Sequence, residues 1–365
     1  MKTVGIICEY NPFHNGHARQ FRQIRTLLGE DTRIVCLMSG DFVQRGQPAI
    51  LPKEIRAEAA VACGADLVLE LPVNCCLSSA EGFASGGVSV LSRLKVDCLA
   101  FGCEDPELLE KDLPLLLSED YQTALHAAIT EGLSYAAAGQ RALEELGGDG
   151  RLLSRPNDIL AVEYCKALAR QNSPVRPLPL KREGDYHGSE PDRENPSAEY
   201  LRGREDWSGF VPDAALAVFE GQPRYRIEHG ERAMLSRLRM LTKESLDDLP
   251  YGSEGLWNKL FRAIREGKGL EETILSAKSK RYPYSRLSRM LLCACLGIGK
   301  NDLAAEPDSL RVLAFGPGGR PLLRRLSDEG SVPLLHVGQA RPVTASDLFY
   351  PLFREEEERS QRGND

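Results

Sequence analysis

From the N-terminus to about residue 180, short apolar runs rich in β-branched residues alternate with longer segments of helical period. That rhythm marks a parallel sheet whose strands are buried beneath crossover helices. The runs at residues 4–8, 33–38, 66–71, 98–102 and 175–180 read as strands, and residues 16–28, 52–63, 78–94 and 157–170 read as helices. A doubly wound, mostly parallel α/β sheet with right-handed crossovers follows. Residues 181–209 break the rhythm, being polar and rich in Gly, Pro, Asp and Glu, and predict loop with one short helix at 198–202. Beyond residue 210 the helical period dominates, at 231–241, 255–266 and 285–296, with a short strand expected at 311–315. The pattern divides the chain into an α/β domain, residues 1–209, and a mainly helical second domain, residues 210–365.

A length of 365 residues suits two domains, and 42% hydrophobic with 27% charged residues excludes a disordered or collagen-like chain. A formal net charge of −7 argues against a uniformly basic nucleic-acid coat but permits one local basic face. The ten cysteines sit mostly in apolar runs without a CxxC pair, which reads as buried thiols in a reducing compartment rather than a zinc site. The first apolar run is too short for a signal-peptide core, and no stretch approaches the roughly 18 apolar residues of a membrane span. A soluble, cytoplasmic protein without membrane attachment is expected.

The most informative stretch is GIICEYNPFHNGH, residues 5–17, where a buried strand runs into a turn and then a helix. In a doubly wound sheet, ligands gather at the carboxyl ends of strands, and a helix N-terminus there offers N–H donors and positive potential to an anion such as phosphate. Asn11-Pro12 supplies the turn, Gly16 permits close backbone approach, and the spacing of His14 and His17 turns two imidazoles toward one place. Such a pair could bind metal, exchange protons or donate hydrogen bonds to phosphate; without a third ligand nearby, metal is the weakest of the three.

NPFHNGH resembles the HxGH signature of the nucleotidylyltransferase superfamily. With MSGDFVQRGQPAILPKEIRAEAA, GADLVLELP, AFGCE, PNDILAVEYCKAL and LKREGDYH, it resembles the bacterial tRNA(Met) cytidine acetate ligase family over residues 1–202, with weaker echoes beyond. The resemblance implies that ATP and acetate form acetyl-adenylate with loss of pyrophosphate. The acetyl group then passes to the exocyclic amine of the wobble cytidine in elongator tRNA(Met), giving N4-acetylcytidine. It implies an ATP-binding catalytic domain followed by a tRNA-binding domain. It carries ATP contacts onto Ile7, Cys8, Glu9, Tyr10, Asn11, Pro12, Phe13, His14, Asn15, Gly16, His17, Ala18, Arg19 and Gln20, with Gly102, Asn157 and Arg182 as further contacts. His14, His17 and Arg182 would be the catalytic group. Residues 197–202, SAEYLR, resemble the second superfamily signature: Ser197 and Arg202 fit it, whereas Glu199 stands where a hydroxyl is usual.

The residues themselves support bland alternatives beside these roles. Gly102 is also a plain turn glycine, Asn157 a helix cap, and Arg182 a surface ion-pair partner. For acetate, a small pocket after the second strand is expected from Ser39, Gly40 and Arg45, with Arg45 as anion partner; otherwise Arg45 pairs with Glu54 or Glu58. Mg2+ is expected to accompany the triphosphate, although no carboxylate pair identifies its ligands. Residues 278–286, KSKRYPYSR, interleave cations with aromatics. Lys278, Lys280, Arg281, Tyr282, Tyr284, Arg286 and Arg289 are the expected tRNA contacts, against the bland alternative of a solvated helical face. A small-molecule adenylyltransferase and a non-catalytic RNA-binding protein on the same fold are the competing functions.

Overall fold

The computed structural model describes residues 1–182, 192–246, 248–251, 255–279, 282–335 and 343–355. In chain order it opens with β1 (Thr3–Cys8), α1 (Asn15–Leu28), β2 (Arg33–Ser39) and a two-stranded hairpin, β3 (Phe42–Val43) and β4 (Gln47–Pro48). Then come α2 (Lys53–Ala62), β5 (Leu67–Leu71), α3 (Val73–Cys76), α4 (Ala80–Arg93) and β6 (Cys98–Cys103). Three helices follow, α5 (Pro106–Leu116), α6 (Glu119–Thr130) and α7 (Tyr135–Glu145), before α8 (Pro156–Arg170), β7 (Arg176–Lys181) and the short α9 (Ala198–Arg202). The remainder is α10 (Asp213–Phe219), α11 (Ile227–Arg239), α12 (Leu256–Glu266), α13 (Leu270–Ala277), α14 (Tyr284–Leu296), α15 (Lys300–Ala304), β8 (Leu310–Phe315), α16 (Gly319–Glu329), β9 (Leu334–Leu335) and α17 (Ala345–Phe349).

Among the described residues, seven strands form one sheet in the order β7-β6-β1-β2-β5-β8-β9. All neighbours pair in parallel except β8, which runs antiparallel to β5. The two-residue period of a strand sends alternate side chains to opposite faces. Ile34, Cys36 and Met38 of β2 join a core with Phe21 and Ile24 of α1, while Val35 and Leu37 join the core of α4 and α8. The doubly wound sheet expected from the pattern is therefore present.

The division at residue 209 does not coincide with how the cores divide. Trp207, Phe210, Ala215 and Phe219 pack into the sheet core with α1 and α2, and β8 returns to extend the sheet beside β5. The separate helical core comes from α11 to α14 with Tyr350 and Phe353, and it reaches the α/β part through Phe42 and Leu77. An antiparallel sixth strand supplied from far down the chain satisfies the edge of β5, which local periodicity does not encode.

Candidate active site

The strand order reverses at β1, with β2 on one side and β6 on the other. β1 pairs with β2 along its whole length, to Cys8 opposite Met38, whereas its pairing with β6 stops at Gly5 opposite Leu99. Past that point the two strands diverge toward their carboxyl ends and open the crevice where this kind of sheet binds ligands.

At the end of β1 the chain turns through residues 9–14 into α1, whose N-cap is His14 in extended conformation. The turn is held from below. Tyr10 adopts a left-handed φ of 46°, is buried, and packs edge-on to His17 at 4.8 Å between ring centroids. Its hydroxyl lies 3.3 Å from Cys36 Sγ. Asn11 Oδ1 accepts the Ile50 N–H at 2.7 Å, and Asn15 donates to the carbonyls of Arg193 and Gly209 at 2.9 and 3.0 Å. Ile7, Tyr10, Asn11, Pro12, Phe13 and Ala18 are buried and pack to hold the loop in place. Cys8, Glu9, Arg19 and Gln20 are half-buried. Burial pushes the Cys8 thiol well up, with Cys36 adding to the effect, and so disfavours a thiolate nucleophile.

His14 and His17 stack with centroids 3.7 Å apart. The His14 backbone N–H donates to His17 Nδ1 at 3.2 Å, so neutral His17 carries its proton on Nε2 and presents that nitrogen as a donor. Among the described residues, buried His14 Nδ1 has no hydrogen-bond partner. Desolvation, with Arg182 nearby, lowers His14 to about 3, and desolvation followed by His14 and Arg182 lowers His17 well below its ordinary value. Two neutral imidazoles beside a guanidinium make a donor site for an anion.

Arg182 closes the β6 side. Its guanidinium donates to Asn157 Oδ1 at 3.4 Å and lies 3.6 Å from Glu104 Oε1, which also accepts from Asn157 Nδ2 at 2.9 Å. A Cβ on Gly102 would sit 3.2 Å from the Arg182 side chain, so glycine is what lets strand and guanidinium lie together. Gly16 is equally confined: a Cβ there would sit 2.5 Å from Asn195 Oδ1 and 3.1 Å from the His14 ring. The fold thus brings His14, Gly16, His17, Gly102, Asn157 and Arg182 to one crevice.

On the β2 side, Arg202 of α9 donates to the Asn11 carbonyl at 3.0 Å, and exposed Ser197 stands at the N-cap position of the same helix without a side-chain capping bond. Glu199 points outward and pairs with Arg45 of the hairpin turn at 3.0 Å, both side chains being exposed. Gln44 N–H donates to Glu9 Oε1 at 2.8 Å. Beneath them, fully buried Arg56 donates to the carbonyls of Glu9, Gly40 and Leu51, tying the ends of β1 and β2 together. A cation inside a helix reads as surface, and no spacing in the sequence marks Arg56, Glu104 or Asn195.

The chain matches the family model described as HIGH Nucleotidyl Transferase over residues 1–352. A tRNA(Met) cytidine acetate ligase of Caldanaerobacter subterraneus subsp. tengcongensis is 37% identical, the match covering 92% of this chain and 88% of that protein. The ligase of the same name from Acetivibrio thermocellus is 35% identical with the same coverage. The chain belongs to the tRNA(Met) cytidine acetate ligase family. Its fold superposes on the crystal structure of Thermotoga maritima TmcAL bound with alpha-thio ATP with a TM-score of 0.82 and 29% identity, covering 92% of this chain and 85% of that one. The apo form of the same protein gives a TM-score of 0.84 at 28% identity, over 96% and 92%.

In this ligase-family chain the expected acetate pocket does not assemble. Ser39 is buried at the end of β2, Gly40 lies against the Glu70 carboxylate, and Arg45 turns to Glu199 rather than to Glu54 or Glu58. The hairpin carries Arg45 away from the other two, and a carboxylate at Gly40 repels an acid. The expected tRNA contacts also separate. Lys278 is exposed, but Arg286 donates to the Tyr251 carbonyl at 3.0 Å and Arg289 to the Gln44 carbonyl at 3.1 Å. Tyr282 and Tyr284 pack against the helical core, while Lys280 and Arg281 lie outside the described residues. Two of these cations therefore fasten α14 to the rest of the protein. Exposed cations remain at Lys259, Arg262, Arg265 and Lys268.

Proposed function

We propose that this protein activates acetate with ATP as acetyl-adenylate and transfers the acetyl group to the exocyclic amine of the wobble cytidine of elongator tRNA(Met). The observation that carries this reading is the crevice at the β1 strand switch, where two neutral imidazoles and Arg182 meet at a helix N-terminus. Neutral imidazole donors and a permanent guanidinium charge bind polyphosphate without needing a proton from solution. Gly102 and Asn157 border the space beyond β6 and suit the nucleoside.

Catalysis of the first step is positional and electrostatic. The triphosphate is gripped at His14, His17 and Arg182, and an acetate oxygen meets the α-phosphorus opposite the departing pyrophosphate. In-line attack on the α-phosphorus calls for acetate on the hairpin side of β1, where half-buried Arg202 supplies a cation. Among the described residues no group of three or more His, Cys, Asp or Glu side chains is placed to hold a metal ion. Magnesium is read as part of the substrate, MgATP, where it neutralises the adjacent phosphates. Among the described residues no helix is long and apolar enough to cross a membrane. The exposed cations of α12 and the following loop are the surface suited to tRNA phosphates.

Incubation with MgATP and labelled acetate, with and without tRNA, tests the reading. Acetyl-adenylate forms without RNA, and acetylated tRNA follows when tRNA is added. His14→Ala or His17→Ala cuts adenylate formation by roughly 100-fold or more while tRNA retention on a filter persists. Adenylation at the parent rate in both variants would refute the assigned grip.

A further inference from the structure

Acyl transfer from the adenylate leaves a proton to be placed. The exocyclic amine of cytosine shares its lone pair with the ring, so it attacks well only if its N–H proton leaves as the new bond forms. We infer that Glu9 is the group that takes this proton, an assignment that rests on the ligase reading above.

The end of β1 splits the crevice in two. His14, His17 and Arg182 lie toward β6, and the hairpin turn lies toward β2. Glu9 is the first residue past β1, and its Oε1 accepts the Gln44 N–H at 2.8 Å, so the carboxylate sits on the hairpin side. In-line displacement at the α-phosphate puts the acetyl group on that same side. Arg56 fixes the Glu9 carbonyl, and Arg202 feels Glu9 as its largest attractive charge.

Among the described residues, the other carboxylates at this edge are committed. Asp41 and Glu70 both hold Lys53 at 3.0 Å. Glu199 is paired with Arg45, and Glu104 accepts from Asn157. Among the described residues, the Gln44 N–H is the hydrogen bond that the Glu9 carboxylate accepts, and it engages only Oε1. The hairpin is moored to α14 through Ser288, which donates to the Gly46 carbonyl at 2.7 Å, and through Arg289 on Gln44. The acceptor base would thus enter between the helical region and Glu9. The cytidine nitrogen attacks the acetyl carbonyl, the C–N bond forms, and the C–O bond to the phosphate breaks with its electron pair leaving on AMP. The nitrogen's proton passes to Oε2 of Glu9 and then to water.

Glu9→Gln tests this, because the amide oxygen still accepts from Gln44 and the hairpin keeps its anchor. Hydroxylamine, a strong nucleophile, traps acetyl-adenylate as acetohydroxamate and reads the first step; acetylated tRNA reads the second. The expected result is a fall of about 100-fold or more in the ratio of transfer to adenylation, with tRNA retention kept. A ratio within about threefold of the parent, or losses of equal depth in both steps by a protein that melts like the parent, overturns the assignment. Where Glu9→Gln does not melt like the parent, Glu9→Ala is read in its place by the same criteria. Failure of the unvaried protein to make acetohydroxamate strikes instead at the ligase reading and removes the assignment with it.

Discussion

The His14 backbone N–H donates to Nδ1 of His17 at 3.2 Å, which fixes the His17 proton on Nε2, and the two rings stack 3.7 Å apart, so each holds the other's place. Burial keeps both neutral, with His14 lowered to about 3. Unfolded histidine titrates near 6.5, so between that value and about 3 the unfolded chain binds a proton that folded His14 refuses. The stability contributed is complete above pH ~6.5 and is lost as pH falls toward the folded value, at roughly 1.4 kcal/mol per pH unit for each histidine. Denaturant melts of the ligand-free protein from about pH 7 to pH 5 should show that slope, and His14→Gln should flatten it by about one proton. An equal slope in the variant would mean that the imidazole is solvated and protonated, contrary to its burial.

Gly102 and Arg182 make a second, independent statement about the crevice. With a methyl group at position 102, 3.2 Å from Arg182 Cγ and Cδ, the Arg182 stem must give by a few tenths of an ångström, which disturbs the guanidinium's contacts with Asn157 and Glu104. Gly102→Ala should raise the KM for ATP by about tenfold, as expected for one weakened charged contact. Stability should change by less than about 1 kcal/mol, because the clash falls on a side chain that can move. Initial-rate kinetics at varied ATP decide the point, and an unaltered KM would place the nucleotide away from β6.

Much of this molecule is legible in its sequence because a buried parallel strand is a nearly continuous apolar run. β1 is expected at 4–8 and found at Thr3–Cys8, β7 is expected at 175–180 and found at Arg176–Lys181, and the short helix at 198–202 is found at Ala198–Arg202. What the pattern does not carry is partnership. A strand near 311–315 is readable, but its place antiparallel to β5 depends on a neighbour more than 200 residues away. The helix expected at 78–94 is found at Ala80–Arg93, its start set by Ser79, whose hydroxyl accepts the Gly82 N–H at 3.2 Å. Arg45 reads as an anion ligand until the fold delivers Glu199, and the basic run around Arg289 reads as an open face until Gln44 arrives beneath it.

Lys53 is a buried ammonium held by Asp41, Glu70 and Asp347, with Arg311 completing the group on Asp347 and Glu70. This cluster ties α17 to the sheet edge beneath the crevice. Lys53→Met leaves Asp41 and Glu70 buried with one fewer cation, and should cost about 3–5 kcal/mol in denaturant unfolding. Asp347 is held far below the ordinary carboxylate range against the opposing effect of its burial, by hydrogen bonds from Arg311 and Lys53. Its contribution is therefore present above about pH 3.9 and disappears as pH falls through the lower folded value. Lys53 is raised by its carboxylates despite desolvation, so its share is present below about pH 10.4 and is lost only at higher, alkaline pH. A double-mutant cycle of Lys53→Met and Asp347→Asn should return a coupling of at least about 1 kcal/mol; additive losses would mean that the cluster is solvated.

The exposed and the moored cations of the helical region should behave differently toward RNA. Lys278 is exposed, and Arg262 and Lys268 are exposed on neighbouring elements, so each can meet a phosphate in a tRNA complex. Replacing such a lysine by glutamate removes one counterion-releasing contact and should lower the slope of log K against log salt by about 1, weakening all tRNAs alike. Acetohydroxamate formation should survive, because that surface takes no part in holding ATP. Arg289 is partly buried, donates to Gln44, and is lowered from its ordinary value chiefly by desolvation. Arg289→Ala removes one of the hairpin's two ties to α14, so it should lower the yield of transfer per adenylate while leaving the salt slope where it was. Filter binding across a salt series, run beside the two half-reactions, separates the two classes. A lowered salt slope in Arg289→Ala, with none in Lys278→Glu, would exchange their roles and put the RNA against the hairpin itself.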